Sequence, residues 1–394
     1  MTYVVLPFQM YALTRSTVAV GLIGVVEFVP MFAMALIGGA LADHFNRRRL
    51  IVIVESAMTL CCAVLAWNAS LPAPHVSALW IIAALLAALG ALHRPALEAL
   101  MQQVLPVGDM VAAGALNAVR GNFAFIVGPG LAGVIAAIGG ATAAFAVDGV
   151  SYVISVIAIL MMRPVARMSL GEEGITWHAL LEGWRYARSR QDLLGTYLVD
   201  INATFFGMPN ALFPAIAVRW GTASVGLLYA APPLGAMLAA ITSRWSSRVH
   251  RHGLAIAWAA ALWGIAIAAF GFARPLWLAL LFLAAAGAAD MISGIFRMAV
   301  WNQSVPPSIR GRTAAIEMIS YLTGPSLGNA EAGLAARLFG LRTSVVSGGV
   351  LCAAGSLVLA MVLPKFIAYD SKEGIRRREL DEALFAREKE AERR

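Results

Sequence analysis

The chain has 394 residues, of which 60% are hydrophobic and 13% are charged, and its mean hydropathy is +0.76. Soluble domains contain about 25% charged residues, and a single soluble core could not bury this much apolar surface. The formal net charge of +8 comes from basic residues in short segments between apolar runs, a distribution that suits membrane topology better than a nucleic-acid-binding patch. The composition therefore predicts a polytopic membrane protein.

The first part of the chain contains enough apolar runs for six membrane-spanning helices, each of which needs about 20 residues. The first run is shorter than that and Arg15 follows it directly, which predicts an incomplete first helix. Two later runs are longer and are each interrupted by turn-forming residues, at Asn68–His75 and at Gly139–Gly140. Each of these runs is therefore predicted to hold two helices. The four runs lie at 1–13, 17–42, 56–92 and 123–147.

A longer connection separates these helices from a second set. Within it, the apolar side chains from Trp177 to Trp184 share one helical face, which predicts an amphipathic helix on the membrane surface. Six more apolar runs follow, at 192–216, 220–243, 254–273, 276–300, 312–338 and 343–364. The predicted fold is an all-α membrane protein with twelve helices in two six-helix bundles. Its predicted domains are the bundles 1–163 and 192–364, the linker 164–191 and a charged tail 365–394.

Basic residues are unevenly distributed between the two sets of alternating loops. One set is rich in arginine, at Arg47, Arg48, Arg49, Arg163, Arg167, Arg185, Arg188, Arg190, Arg244, Arg248, Arg251, Arg310 and Arg312. The opposite set has only Arg15, Arg219, Arg274 and Arg342. Because cytoplasmic loops carry the excess of basic residues, we predict a multi-pass protein of the bacterial plasma (inner) membrane with both termini in the cytoplasm.

The two halves share an internal repeat. Three short motifs recur at a spacing of about 200 residues, which indicates a duplicated six-helix unit. In transporters, such repeats place the substrate site at their interface near the membrane midplane. The pairs are Val20-Gly21-Leu22 with Val225-Gly226-Leu227, Gln103 to Pro106 with Gln303 to Pro306, and Gly128-Pro129 with Gly324-Pro325.

A loop motif follows the second span. Residues 39–49, GALADHFNRRR, resemble the loop signature G-x-L-A-D-x-x-G-[RK]-[RK] of the major facilitator superfamily. Gly39 permits close helix packing, and Asp43 can accept hydrogen bonds at a helix N-terminus. Asn46 stands where the signature has glycine, and we expect it to take the left-handed conformation there. The resemblance implies that Asp43, Arg47 and Arg48 make gating contacts; the alternative is a basic loop that only sets topology.

The fifth span has a second motif, Gly128-Pro129-Gly130-Leu131-Ala132-Gly133. It is similar to the later part of the antiporter signature G-x-x-x-G-P-x-x-G-G. Proline removes a backbone hydrogen bond and kinks a helix, and small residues admit a neighbouring helix. Ordinary close packing of helices is the other interpretation.

The whole chain as far as Pro364 is similar to the enterobactin exporter group of this superfamily, in which many members export drugs. The resemblance rests on His93-Arg94-Pro95-Ala96, the stretch Gly226 to Gly235 and the Gly311-Arg312 turn. It implies export of a small molecule, a siderophore or a drug-like amphiphile. Proton-driven drug antiporters carry an arginine in the middle of the fourth span, whereas this chain has no cation there before His93.

Ionisable residues also lie within the apolar runs, where they are costly and usually face a cavity or a partner. Such carboxylates can carry a proton during alternating access, or they can make structural hydrogen bonds. The candidates for proton or substrate binding are Glu27, Asp200, Asp290 and Glu317. Arg120, near the end of the fifth span, is either a helix-end anchor or a contact for an anionic substrate.

These features predict a secondary active exporter, with proton antiport by alternating access. The expected partners are a small-molecule substrate, protons and the lipid bilayer, with no nucleic acid, and the expected state is a monomer. No enzyme activity, cofactor or metal site is expected, because the sequence has no ATP-binding, metal-ligand or catalytic constellation. The alternative is a membrane sensor or assembly partner that kept the fold without transporting.

Overall fold

The computed structural model describes residues 1–44, 46–104, 109–162, 177–306, 309–372, 374–376 and 380. Within these ranges, the side chains at 35–44, 99, 102, 111, 115, 118, 122, 177–182, 311, 312, 315 and 319 are not described.

The regular elements in the described ranges are helices. The α-helices are α1 Thr2–Thr14, α2 Thr17–His44, α3 Arg47–Ser70, α4 Val76–Val104, α5 Met110–Met161, α6 Trp177–Ser189, α7 Gln191–Phe206, α8 Phe213–Ala217, α9 Ala223–Ile241, α10 His252–Phe272, α11 Leu276–Ser304, α12 Arg310–Phe339, α13 Leu341–Val362 and α14 Pro364–Ile367. Two short 3₁₀ helices lie at Asn210–Leu212 and Ser243–Arg248.

Eight helices of the described residues are long and apolar enough to cross a membrane. One of them, α5, contains two spans, because Gly140 has φ 69° and ψ −176° and breaks the helix there. A positive φ is easily reached only by glycine. The predicted break at Gly139–Gly140 is therefore confirmed, and the helices fit the twelve-helix fold.

The predicted span at 192–216 is wrong in one respect, because it is not continuous. Helix α7 ends at Phe206, and α8 begins at Phe213 after the 3₁₀ helix Asn210–Leu212. Pro209 lies in the gap; it has no N–H to donate and it disfavours helical geometry at Met208. The N–H of Gly207 closes the end of α7 by donating to the Ala203 carbonyl at 2.8 Å.

The chain divides into two compact units. Unit 1 comprises Met1–Gly174, Asn210–Ala230 and Asn329–Leu341, and unit 2 comprises Ile175–Pro209, Ala231–Gly328 and Arg342–Arg394. Unit 1 thus includes α8 and parts of α9 and α12. The two bundles predicted at 1–163 and 192–364 stay a prediction.

Each unit has an apolar core. In unit 1, Ile51 and Val54 of α3 pack with Ala96 of α4 and Ile159 of α5. In unit 2, Val199, Ile256, Phe296 and Val300 pack with Phe366 of the C-terminal segment, whose side chain is fully buried. The segment after the last span is therefore part of the folded unit 2.

Candidate functional site

Unit 1 contains a cavity of about 360 Å³, within the range of small-molecule pockets. Glu27 of α2 lines it, together with Met31, Met58 and Tyr152. Among the described residues, Glu27 has no hydrogen-bond or ion-pair partner. The cavity therefore combines a free carboxylate with aromatic and methionine side chains, which suit an amphiphilic ligand.

Aromatic and amide side chains form one edge of this cavity. Asn210 donates from Nδ2 to the Tyr3 hydroxyl at 3.2 Å, and Tyr229 donates to the Asn210 carbonyl at 2.8 Å. The rings of Tyr3 and Tyr229 meet edge to face, with centroids 5.5 Å apart. Asn329 accepts from the Ala211 N–H at 3.2 Å. Hydrogen bonds thus join α1, the 3₁₀ helix and parts of α9 and α12 at this edge.

Unit 2 contains a group of charges between α7, α11 and α12. Arg297 of α11 forms an ion pair with Asp200 of α7, and its Nη2 lies 3.6 Å from Asp290 Oδ1. Ser320 of α12 donates to Asp200 Oδ2 at 3.0 Å. The side chains of Arg297 and Asp200 are 11% and 6% exposed, whereas Asp290 is 44% exposed. We call Asp200, Asp290, Arg297 and Ser320 the charge cluster.

Two of the carboxylates proposed from the sequence, Asp200 and Asp290, therefore meet at one cation. That cation, Arg297, was not predicted from the sequence. The spacing could have revealed it, because Arg297 lies seven residues after Asp290, two turns along the same face of α11.

The remaining candidates lie outside the charge cluster. Glu317 accepts a hydrogen bond from the Tyr321 hydroxyl at 3.1 Å, one turn away on α12. Arg120 is an exposed residue of α5 in unit 1. Glu27 also belongs to unit 1 and lines its cavity.

Unit 1 also contains two hydrogen-bonded carboxylates, those of Glu55 and Asp148. Glu55 of α3 is 3% exposed, and its Oε1 lies 2.9 Å from His93 Nε2 and accepts from Ser155 Oγ at 2.9 Å. Ser155 and Asp148 both lie on α5. Asp148 accepts from the Thr2 hydroxyl at 2.6 Å and from the Thr2 N–H at 2.7 Å. These bonds join α3, α4 and α5, and hold α1 against α5.

The loop signature is partly described. Helix α2 extends through Gly39 and Asp43, but their side chains lie outside the described residues. Asn46 has φ −62° and ψ 117°, so the expected left-handed conformation is wrong. It is the N-cap of α3, where its Oδ1 accepts from the Arg49 N–H at 3.3 Å. Asparagine is favoured there because its side chain satisfies a free N–H of the first turn.

The two arginines after Asn46 are held in the fold of unit 1. Arg47 is 8% exposed. Arg48 donates from Nε to the Ile159 carbonyl at 2.9 Å and from Nη2 to the Leu160 carbonyl at 2.6 Å. A cation at these carbonyls satisfies acceptors that the C-terminus of α5 leaves open.

In the antiporter-like motif, Gly133 is the position of close approach. A Cβ at Gly133 would lie 2.7 Å from the Gly226 nitrogen and 2.8 Å from the Ala223 oxygen, both of α9. A Cβ at Gly128 would meet nothing within 4 Å. The motif and the repeated Val225-Gly226-Leu227 are thus in backbone contact within unit 1, and Pro129 lies inside the continuous first part of α5.

Comparison with solved structures shows the fold. The nucleoside transporter NupG superposes with a TM-score of 0.74 at 14% identity, covering 93% of this chain and 95% of that one. A bacterial homologue of the human lysosomal transporter Spinster superposes with a TM-score of 0.71 at 17% identity, covering 93% of both chains.

The long apolar helices in this fold, together with the family match given next, make the chain a multi-pass membrane transporter of the major facilitator type and not an enzyme. The chain belongs to the family of transmembrane secretion effectors, whose family model matches residues 1–393. Curated relatives include the enterobactin exporters of Citrobacter koseri and Salmonella typhi, each 27% identical over 363 residues, 91% of this chain and 87% of theirs.

Proposed function

We propose that this transporter exports a small organic molecule in exchange for protons by alternating access. The charge cluster supports the proposal most directly, because buried ionisable residues in membrane-spanning helices are retained mainly where they serve transport. The similarity to enterobactin exporters points to a siderophore as the cargo, and a drug-like amphiphile is the second candidate.

The two carboxylates at Arg297 have different roles in this proposal. Asp200 is buried, paired with Arg297 and bonded to Ser320, so it holds the guanidinium in place. Asp290 is farther from the guanidinium and 44% exposed, so a proton can reach it. Protonation of Asp290 would weaken its attraction to Arg297, and a change in that attraction can bias the helices towards another arrangement. Asp290 is therefore the proposed proton carrier.

The cavity of unit 1 is the proposed contact surface for the cargo. Glu27 supplies a carboxylate, and the Asn210 and Asn329 amides supply further polar groups. Tyr3, Tyr229, Met31 and Met58 supply an apolar and aromatic wall. Pockets that are mostly apolar with a few placed polar groups are typical of small-molecule sites.

The proposal also includes the orientation of the protein in the membrane and its oligomeric state. The excess of arginine in one set of loops favours a plasma membrane location with both termini in the cytoplasm. The proposed functional state is a monomer. The loop residues Gly39, Asp43, Arg47 and Arg48 are proposed to act in gating, as the resemblance to the superfamily signature implies.

The test measures export of two probes, enterobactin and ethidium, from cells that lack their own exporters and express this chain. We expect the medium to accumulate at least one probe, and a protonophore to abolish the accumulation. Asp290→Asn should reduce export to the level of the empty vector at equal membrane abundance. Glu98→Gln, on the exposed end of α4, is the matched control and should export normally.

Each part of the proposal can fail separately. Export that continues in the presence of the protonophore would reject proton coupling, and full activity of Asp290→Asn would reject its role. If neither probe leaves cells in which the protein is abundant, export of these classes is rejected and the sensor interpretation gains support.

A further inference from the structure

A second cavity, of about 320 Å³, lies at one end of unit 2, at the junction of α6 and α7. It is lined by Arg188, Ser189, Arg190, Gln191 and Asp192 on one side. Lys365, Tyr369 and Asp370 of the C-terminal segment line the other side. Lys365 follows the last membrane-spanning helix by only three residues, and Arg190 immediately precedes α7. The cavity therefore lies just beyond the end of the apolar helix α13 and beside the start of α7.

The segment that forms the far side is fixed to unit 2. Phe366 is fully buried, and a Cβ at Gly195 of α7 would overlap its ring. Asp370 forms an isolated β-bridge with Arg251, and the Ser371 N–H donates to the His250 carbonyl at 3.2 Å. The cavity wall is thus part of the fold and not a loose tail.

Charge pairing inside the cavity leaves two cations available. Arg190 donates to Asp192 through Nε at 3.1 Å and Nη2 at 2.8 Å, and Ser304 donates to Asp192 Oδ2 at 3.0 Å. Arg190 thereby compensates the negative charge of Asp192. Arg188 and Lys365 are exposed, and neither forms an ion pair with a carboxylate of the described residues. Asp370 is the remaining carboxylate, and its Oδ1 accepts from the Lys372 N–H at 2.9 Å.

The buried phenol of Tyr369 forms an uncharged part of the cavity lining. Tyr369 donates to Gln303 Oε1 at 3.2 Å, and burial raises the pKa of Tyr369 to about 12. Its hydroxyl therefore stays protonated at neutral pH and adds no negative charge that would oppose an anion.

The surroundings of the cavity match a lipid more than a free anion. Met361 and Val362, at the end of α13 just before Lys365, are 75% and 65% exposed, and Val358 is 53% exposed one turn earlier. Trp184 is 45% exposed and lies one turn before Arg188 on α6. Indole rings at the membrane interface sit at headgroup level, and apolar helix faces accept acyl chains.

We propose that this cavity binds the headgroup of an anionic phospholipid, with the phosphate held by Arg188 and Lys365. The acyl chains lie along Val358, Met361 and Val362, and Trp184 borders the headgroup. Basic side chains just outside a span attract anionic lipids, and each contributes about 1 kcal/mol near a charged surface. The bound lipid joins the linker helix α6 to the C-terminal segment. This site is separate from the charge cluster and does not depend on the transported molecule.

The test is native mass spectrometry of the purified full-length protein, with added phosphatidylglycerol or phosphatidylcholine. We expect a discrete one-lipid complex with phosphatidylglycerol. The double variant Arg188→Gln with Lys365→Gln should bind it about thirtyfold more weakly, because two basic contacts are removed. The matched control, Arg244→Gln with Arg248→Gln, removes two exposed arginines from the 3₁₀ helix Ser243–Arg248 of the same unit and should bind as the parent does.

Three results would overturn the proposal. The first is equal retention of phosphatidylglycerol by the double variant and the control. The second is equal retention of phosphatidylcholine by the parent protein. The third is complete displacement of the lipid by millimolar inorganic phosphate, which would identify a simple anion site. Elution volumes on size exclusion confirm that each variant is folded.

Discussion

At the scale of single residues, the carboxylates could be found from the sequence and their partner could not. Asp200 and Asp290 each interrupt an apolar run, and an ionisable group in such a place is conspicuous. Arg297 lies close to the end of its run, where arginine is ordinary. Only the packing of α7 beside α11 shows that it pairs with Asp200. The same holds for Glu55, whose contact with His93 depends on α3 lying next to α4.

The charge cluster predicts different stabilities for two similar variants. Asp200→Asn leaves the buried Arg297 without its main counter-charge, which typically costs about 3–5 kcal/mol. Asp290→Asn removes a half-exposed and more distant carboxylate, so it should lower stability much less. The measurement is the midpoint of thermal unfolding of the detergent-solubilised protein.

A double variant provides the control. Arg297→Gln combined with Asp200→Asn removes both buried charges, so its unfolding midpoint should lie above that of Asp200→Asn alone. If Asp200→Asn and Asp290→Asn unfold at the same temperature, the assignment of Asp200 as the structural partner is wrong.

At the scale of helices, the positions of glycine and proline in the sequence indicated helix breaks and close packing. They did not indicate which residue each of them contacts. The break in α5 at Gly140 and the proline in the antiporter-like motif are visible in the sequence. Of the motif glycines, however, only Gly133 makes the close contact, while Gly128 has open space beside it. The repeat pairing of Gly21 with Gly226 also has a spatial meaning, since each lies against the backbone of another helix, Gly21 at Asn329 and Gly226 at Pro129.

This contrast gives a test with a control on the same helix. Gly133→Val places a branched side chain against the backbone of Gly226 and should separate α5 from α9, with loss of monodisperse protein on size exclusion. Gly128→Ala adds a methyl group to open space and should leave the elution profile unchanged. Aggregation of both variants, or of neither, would contradict the assigned packing.

At the scale of the whole molecule, composition and loop charges already indicate a membrane protein and its orientation. The helices and the family assignment confirm the membrane fold, while the orientation stays a prediction. The division into units shows a feature that linear order conceals. Segments 210–230 and 329–341, from the second half of the chain, belong to the same unit as the N-terminus.

The predicted orientation can be tested with reporter fusions. Alkaline phosphatase is active only outside the cytoplasm, so fusions after Pro74 and Arg274 should be active, and a fusion after Lys365 should be inactive. A fluorescent-protein fusion after Lys365 should be fluorescent. Phosphatase activity at Lys365 would place the C-terminus outside and reject the charge-based orientation.

The sequence by itself determined that the chain is a polytopic membrane protein, because lipid demands long apolar runs whatever the packing between them. It also marked Glu27, Asp200 and Asp290, since their cost in lipid is a local property. Asn46 at the start of α3 and Pro209 after the end of α7 are local signals that the sequence already contains, and the structure showed which conformations they produce. The tertiary structure alone decided which charges meet, because that outcome depends on contacts between residues far apart in the chain, which residue type does not specify.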